Sequence, residues 1–439
     1  MCALTLAAQN PNCESAMWNA AWTKFFGEKS HVFYDIIVSH DPAKSLEFVP
    51  TQAQIEKLAP RNPNGYSTGM EDGMILGGIM MCAVLDKYEI THDKSLKEYA
   101  SKILDGMANC TLSSQAYGFV ARAVSNDGTN AFFPATSRDQ YTHCVYGIWK
   151  YYNSPLADEA DKALMRKIAR AIADRMIEKI TPATDFDAQN ADNAPSTFGH
   201  SKMWNVEPHE AARLPMIYAV AWDTTRDEKY LTEYKKYANA AVKQSADFHK
   251  KWLAPWAQLQ MQESLEVMAA FAETKEQKRE IENIMKSCAD IARKRLKEAA
   301  EKIKTTDLYK MPYNPQTRPI MANGKPDMGG KNGELDDTFR VPRYFGEMAL
   351  TLLARDGKDL DKESADLIKG VLSTIDYNRL PTCSLIFHLA VYYSSAKAAV
   401  PPPLKGQSPF LKTSEASNAS FCLGASNCRS DGGLILGAR

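Results

Sequence analysis

Two short segments place acids where helices would present them to a common space. In Ser137-Arg138-Asp139-Gln140-Tyr141-Thr142-His143, Asp139 opens an amphipathic run, and the apolar spacing predicts a helix over 139–152. In Gly65-Tyr66-Ser67-Thr68-Gly69-Met70-Glu71-Asp72-Gly73, Glu71 and Asp72 stand at the mouth of a second run, 70–88, behind the turn-forming Asn62-Pro63-Asn64-Gly65. Acids at a helix start are favoured by the helix dipole, by about 0.3–1 kcal/mol each. That accounts for Glu71. It accounts less well for Asp72, because the next helix is too apolar to be a solvated one. Two carboxylates facing each other across a pocket are the simplest machinery for acid/base cleavage of a sugar linkage.

Further chemistry gathers nearby. His143 lies four residues after Asp139, on the same helical face, where it can orient the acid or touch a substrate. Arg138 can grip a carboxylate through two parallel hydrogen bonds. The run Phe198-Gly199-His200-Ser201-Lys202-Met203-Trp204-Asn205-Val206-Glu207-Pro208-His209-Glu210 concentrates imidazole, indole and carboxylate. Trp204 is expected to stack on a sugar face, with His200, His209 and Glu210 addressing hydroxyls or a uronate. His209-Glu210-Ala211-Ala212-Arg213 lacks the second histidine of a zinc-binding HExxH, so no metal is expected. Glu334, Asp336, Asp337, Arg340 and Arg343 precede another apolar run and could form a further wall. Trp252, Trp256, Gln260 and Glu263 head one more, with aromatic packing the plainer role and stacking the bolder one. The competing expectation for each cluster is structural: capped helices, packed aromatics and solvated ion pairs.

Helical periodicity governs the elements that must carry these groups. Runs begin at Glu14, Gln52, Met70, Asp93, Asp139, Leu156, His209, Glu228, Pro255, Lys275, Val341, Lys362 and Cys383. Apolar runs such as Met74-Ile75-Leu76-Gly77-Gly78-Ile79-Met80-Met81 alternate with charged amphipathic ones such as Asp161-Lys162-Ala163-Leu164-Met165-Arg166-Lys167. The first kind must be buried on most sides and the second on one face only. Inner and outer helices alternating along a chain build a closed ring of hairpins: an all-α (α/α)6 barrel. The inner set is expected at Glu14, Met70, Asp139, His209, Pro255 and Val341, with Cys383 as a seventh or as closure. Long loops at 27–51, 110–138, 181–208 and 305–340 would crowd the pocket end. Residues 1–399 read as the catalytic barrel and 400–439 as an extended Pro/Ser/Gly-rich tail.

Composition sets outer bounds. The 439 residues carry 53 basic and 53 acidic side chains, so no global field argues for nucleic acid and no basic run for a membrane surface. No apolar stretch approaches the roughly 20 residues that span a bilayer. The start, Met1 to Gln9, is short, apolar and uncharged, and fits either the end of a signal peptide or an ordinary N-terminus; a periplasmic or secreted location is the expectation drawn from the first. None of the nine cysteines forms a CxxC pair; Cys82, Cys144 and Cys383 fall in apolar runs as buried thiols, and Cys422 and Cys428 are close enough in the tail to form a disulfide.

The hairpin pattern, with the segments 65–73 and 137–140, resembles the six-hairpin (α/α)6-barrel glycosidases, and among them the unsaturated glucuronyl and rhamnogalacturonyl hydrolases and related uronic-acid enzymes. The resemblance implies that an Asp heads each of two consecutive inner helices, one acting as general acid and base, the other positioning the substrate. Asp72 and Asp139 match those places by order, although the words around them differ from the family's. The activity so implied is that of a glycoside hydrolase, removing a terminal uronic-acid or related sugar from an acidic oligosaccharide and requiring no metal or organic cofactor. Asp139 would be the proton donor, its pKa raised by burial and by the Asp72 carboxylate. Tyr66, Glu71, Arg138, His200, Trp204, His209, Glu210, Asp337 and Arg340 would bind substrate. Three alternatives stand beside it: a lyase on the same toroid, with Tyr66, Tyr141 or His143 as base; an epimerase using His200 and His209; and a carbohydrate-binding ring without catalysis.

Overall fold

A computed structural model of the chain describes residues 11–250, 253–312 and 334–399, excepting the side chains of 11, 12 and 334–336. Among them run thirteen α-helices: α1 (Pro11–Ala20), α2 (Gln52–Leu58), α3 (Gly73–Thr91), α4 (Leu96–Thr111), α5 (Arg138–Tyr152), α6 (Glu159–Lys179), α7 (Arg213–Thr225), α8 (Glu228–Ser245), α9 (Pro255–Ala270), α10 (Lys275–Ile303), α11 (Glu334–Leu353), α12 (Lys362–Thr374) and α13 (Ser384–Ala398). Helices α3, α5, α7, α9, α11 and α13 pack each on the next, and α13 packs back on α3, which closes a ring. Outside it, α4, α6, α8, α10 and α12 alternate with the inner helices in sequence, and α1 packs against α13. This is an (α/α)6 barrel, and burial explains the sorting. In α3 every residue from Gly73 to Met81 is buried, whereas α10 buries one stripe, including Ile281, Ile284, Met285, Cys288, Ala292 and Leu296.

Membership of the rings differs from the expected one in two places. The helix containing Glu14 is an outer element, and the one after Cys383 is the sixth inner helix. α1 buries Met17, Trp18 and Ala20 and exposes Ser15 and Asn19, whereas α13 is buried continuously from Ser384 to Val391. Several helix starts also move, two of them furthest. α11 begins at Glu334 rather than Val341 and carries Pro342 inside it. α7 begins at Arg213, because Glu207 and Glu210 close a capping box around a separate turn at Pro208–Glu210. Cys144 and Cys383 are buried and Cys82 is half-buried. Trp252, the start Met1 to Gln9, and the tail 400–439 with Cys422 and Cys428 lie outside the described residues. No helix among the described residues is long and apolar enough to cross a membrane.

The crossing of α3 and α5 bears directly on the site, because these helices carry Asp72 and Asp139. A Cβ on Gly78 would sit on the carbonyl oxygen of His143, and one on Gly147 would come within 3.1 Å of the Gly78 Cα. The two glycines let the backbones touch. The first turns of both helices consequently reach the same mouth of the ring.

Candidate active site

A cavity of about 420 Å³ opens at that mouth. Asp72 and Asp139 both line it, with Tyr66, Glu71, Arg122, Arg138, His200, Trp256, Gln260, Phe339, Arg340, Arg343 and Tyr344 among their neighbours. Side chains come from the first turns of α5 and α9, from the N-terminal half of α11, and from the loops before α3, α5 and α7.

Asp139 sits in the first turn of α5. Its carboxylate accepts a 2.6 Å hydrogen bond from Arg213 Nη1, and its side chain keeps 27 % of its surface while that of Arg213 keeps none. Nε and Nη2 of Arg213 have no partner, so this buried cation is committed to Asp139 alone. Burial pushes the Asp139 carboxyl upward, but Arg213 first, then Arg138 and His143, outweigh it, and the net direction is downward. That is opposite to the expected one. Asp139 is held as an anion, not as a protonated acid, because Arg213, distant in sequence, converges on it together with the adjacent Arg138.

Asp72 occupies the N-cap position of α3 without capping it. Its side chain turns instead into the ring, accepting from Arg343 Nη1 and, at 3.4 Å, from Gln140 Nε2. Arg343 also donates from Nε to Glu347 at 2.8 Å. Glu347 is 1 % exposed and its second oxygen has no hydrogen bond. Burial raises its carboxyl to about 7 against the pull of Arg343. Beneath Asp72 lies a further acid, Asp35, whose carboxylate accepts the backbone N–H groups of Glu71 and Asp72 at 2.7 and 3.1 Å. Burial, then the charges of Asp72 and Glu71, push the Asp35 carboxyl well above the usual range. One guanidinium thus serves a crowd of carboxyls, and protons must be retained within it.

Beside Glu71 the lining is cationic. Arg122, 7 % exposed, donates to the Glu71 carbonyl at 3.0 Å, stands 5.4 Å from the Tyr66 ring, and leaves its Nε unpartnered. It makes no ion pair within 4.0 Å with any carboxylate among the described residues. The Tyr66 hydroxyl lies 3.3 Å from His200 Nδ1. Burial, then Arg122 and Arg138, hold the His200 imidazolium below its ordinary range, so the ring is neutral near pH 7. Gln260 adds a fully buried amide with neither atom bonded.

Of the residues predicted from sequence, Asp72, Asp139, Tyr66, Glu71, Arg138, His200, Trp256, Gln260, Arg340 and Arg343 meet in this cavity. Others do not. His143 is buried below it, with Nδ1 3.0 Å from Glu263. Trp204 is packed edge-on against Tyr237 at 4.7 Å, so it is not a sugar platform here. Glu210 is buried under Arg138, taking hydrogen bonds from Nε and Nη2 at 2.9 and 2.6 Å, which also occupies the face of Arg138 expected to grip a substrate. His209 lines a separate cavity with Glu207, Asp247 and Lys250. Asp337 is exposed and does not line the cavity. The side chains of Glu334 and Asp336 lie outside the described residues. Arg122, Arg213, Asp35 and Glu347 escaped sequence reading. Each is a single polar residue in a loop or an apolar run, and the only hint was the oddity of a charge in such a setting.

No family model and no curated protein matches this sequence. Among solved structures, a sugar epimerase from a ruminal bacterium is similar with a TM-score of 0.44 at 10 % identity, over 87 % of this chain and 98 % of that one. The cellobiose 2-epimerase of Spirochaeta thermophila DSM 6192 gives 0.42 at 12 %, over 89 % and 98 %. The GH76A α-1,6-mannanase of Salegentibacter sp. HEL1_6 gives 0.34 at 11 %, over 64 % and 87 %.

Proposed function

We propose that the chain is a glycoside hydrolase that removes a terminal uronic-acid or related sugar from an acidic oligosaccharide. The observation that carries this reading is the opening of Asp72 and Asp139, from consecutive ring helices, into one cavity. Asp139 does not take the proton-donor role expected from sequence. Asp139, held ionised by Arg213, sets its negative charge against the anomeric carbon or the water that attacks it. Asp72, held by Arg343 and Gln140, is the partner carboxylate on the other side of the scissile bond. Arg122, without an acid of its own, supports an anionic substrate, since a buried guanidinium gains most from a carboxylate partner. The test is a screen of acidic oligosaccharides, with and without a 4,5-unsaturated end, read by sugar release. Release by the native chain that stops in Asp139→Asn and in Asp72→Asn is expected; equal release by all three sinks the proposal.

One observation favours a second reading. The Tyr66–His200 pair beside Arg122 has the parts of a β-elimination site, with a base next to a cation that would acidify the C5 proton of a uronate. Growth of unsaturated-product absorbance from an intact polysaccharide, lost in Tyr66→Phe but kept in Asp139→Asn, would decide for a lyase. Of the other groups considered for these chemistries, Tyr141 is fully buried away from the cavity, and His200 and His209 do not share one.

A further inference from the structure

Phe198 is the most exposed large hydrophobic side chain among the described residues, with 89 % of its surface in water against 49 % for the next, Tyr117. It does not line the cavity itself but neighbours a residue that does. Its ring centroid is 5.8 Å from that of His200, which lines the cavity, and the two rings are tilted by 52°. Its backbone is left-handed, φ 55° and ψ 21°, a conformation that a bulky side chain disfavours.

The loop that holds it is firmly tied. On one side, Ser196 donates its N–H and its hydroxyl to Asp187 Oδ2 at 2.8 and 2.7 Å. On the other, the Ser201 hydroxyl reaches Asp187 Oδ1 at 3.0 Å. Arg138 donates from Nη1 to the Gly199 carbonyl at 2.6 Å, and its backbone N–H bonds the His200 carbonyl at 2.8 Å. One buried carboxylate and one cavity arginine therefore fix both shoulders of an aromatic ring that nothing else among the described residues covers. Water on a whole aromatic face and a left-handed backbone both act against folding. A ligand seated on the ring would offset them.

We infer that Phe198 forms an outer subsite, stacking on the apolar face of the second sugar unit of an oligosaccharide whose terminal unit fills the cavity. The inference rests on the reading that the cavity takes a sugar. It assigns the stacking role to Phe198 and not to Trp204, the residue expected for it from sequence.

The test uses ladders of one to four units prepared from polygalacturonate and from hyaluronan. Affinity and turnover are measured on the full-length native chain, Phe198→Ala, Phe198→Gly and Phe198→Trp. In the native chain, binding strengthens from one unit to two in at least one ladder. Phe198→Ala and Phe198→Gly lose about tenfold of that gain while binding of the single unit is unchanged, and Phe198→Trp keeps it. Phe198→Gly fits the left-handed backbone and melts no lower than the native chain, which separates lost stacking from lost folding. The inference is overturned if Phe198→Ala retains the full length dependence, if no ladder gains affinity with length in the native chain, or if the substitution changes only the oligomeric state. Failure of the hydrolase reading looks different: no sugar is released by any variant, yet the binding gain still depends on Phe198. Conversely, release that stops in Asp139→Asn with an unaltered length dependence in Phe198→Ala leaves the hydrolase and removes the subsite.

Discussion

The two ends of the helical ring are built from the same inner helices, and both are charged, yet their polar groups are arranged differently. At the end away from the loops, the later turns of α3, α5, α9, α11 and α13 enclose only about 70 Å³. There Lys150 pairs with Glu266 at 3.2 Å, Glu266 accepts from the Tyr146 hydroxyl at 2.7 Å, and Lys397 pairs with Asp86 and Glu89 at 2.7 and 3.0 Å. At the loop end the space is about 420 Å³, Arg122 has no acid among the described residues and leaves its Nε unpartnered, and Gln260 bonds through neither amide atom, whereas Gln262 at the other end lacks a partner only at Oε1. Charge alone does not mark a site, because matched charges can simply close a structure. Buried polar groups without partners, facing a sugar-sized space, mark one, since they are costly unless a ligand satisfies them.

Breaking this contrast should give graded effects. The largest is expected for Asp139→Asn, which should lower kcat for sugar release by a factor on the order of 10³, measured with saturating substrate, and should also lower the melting temperature, because the buried Arg213 loses its one carboxylate. Next is a pH effect on stability. Glu347 titrates in the folded chain at about 7, above its ordinary value of 4.5. Its contribution is therefore complete below the ordinary value and is lost as pH rises toward the folded one, by about 3 kcal/mol in all. Glu347→Gln should flatten that fall, seen as denaturant midpoints that no longer drop between pH 4.5 and 7; an unchanged slope would remove Glu347 as its source. Asp139 contributes with the opposite sign, since its folded pKa is lowered, and its share is lost as pH falls through the acid range.

Arg122→Gln should raise KM for an acidic sugar by about 10- to 100-fold and leave a neutral analogue unaffected, in line with the loss of a charge-assisted pair. Equal loss for both sugars would reduce Arg122 to a structural role. The smallest effect is expected at the other end. Lys150→Met removes one partner of Glu266 and should cost about 1 kcal/mol of stability with sugar release intact. If Lys150→Met abolished activity, the two ends would not be functionally distinct.

Much of the ring was legible in one dimension. A helix such as α3, buried from Gly73 to Met81, cannot be anything but internal, and α10 with its single apolar stripe cannot be anything but peripheral. The Glu14 run misled because its aromatic residues, Trp18 and Trp22, resemble those of a buried helix although they pack on one side only, against Tyr99 and its neighbours. The acids at the starts of α3 and α5 were visible for a related reason: a carboxylate ahead of an apolar helix is unusual enough to notice. Trp204 and Phe198 show where such reasoning stops. Both are aromatic residues in one loop, and only the packing decides that one is half-buried against Tyr237 and the other is exposed beside His200.

The linear order of residues determined most of the helices that face inward, the Glu14 run excepted, and which acids head α3 and α5, because periodicity and burial are properties of a helix and its immediate flanks. The protonation of those acids and the identity of their partners were decided in three dimensions. Arg213 meets Asp139 and Arg343 meets Asp72 across separations of 74 and 271 residues. Electrostatic energy falls with distance in space, and distance in space is what ring closure sets.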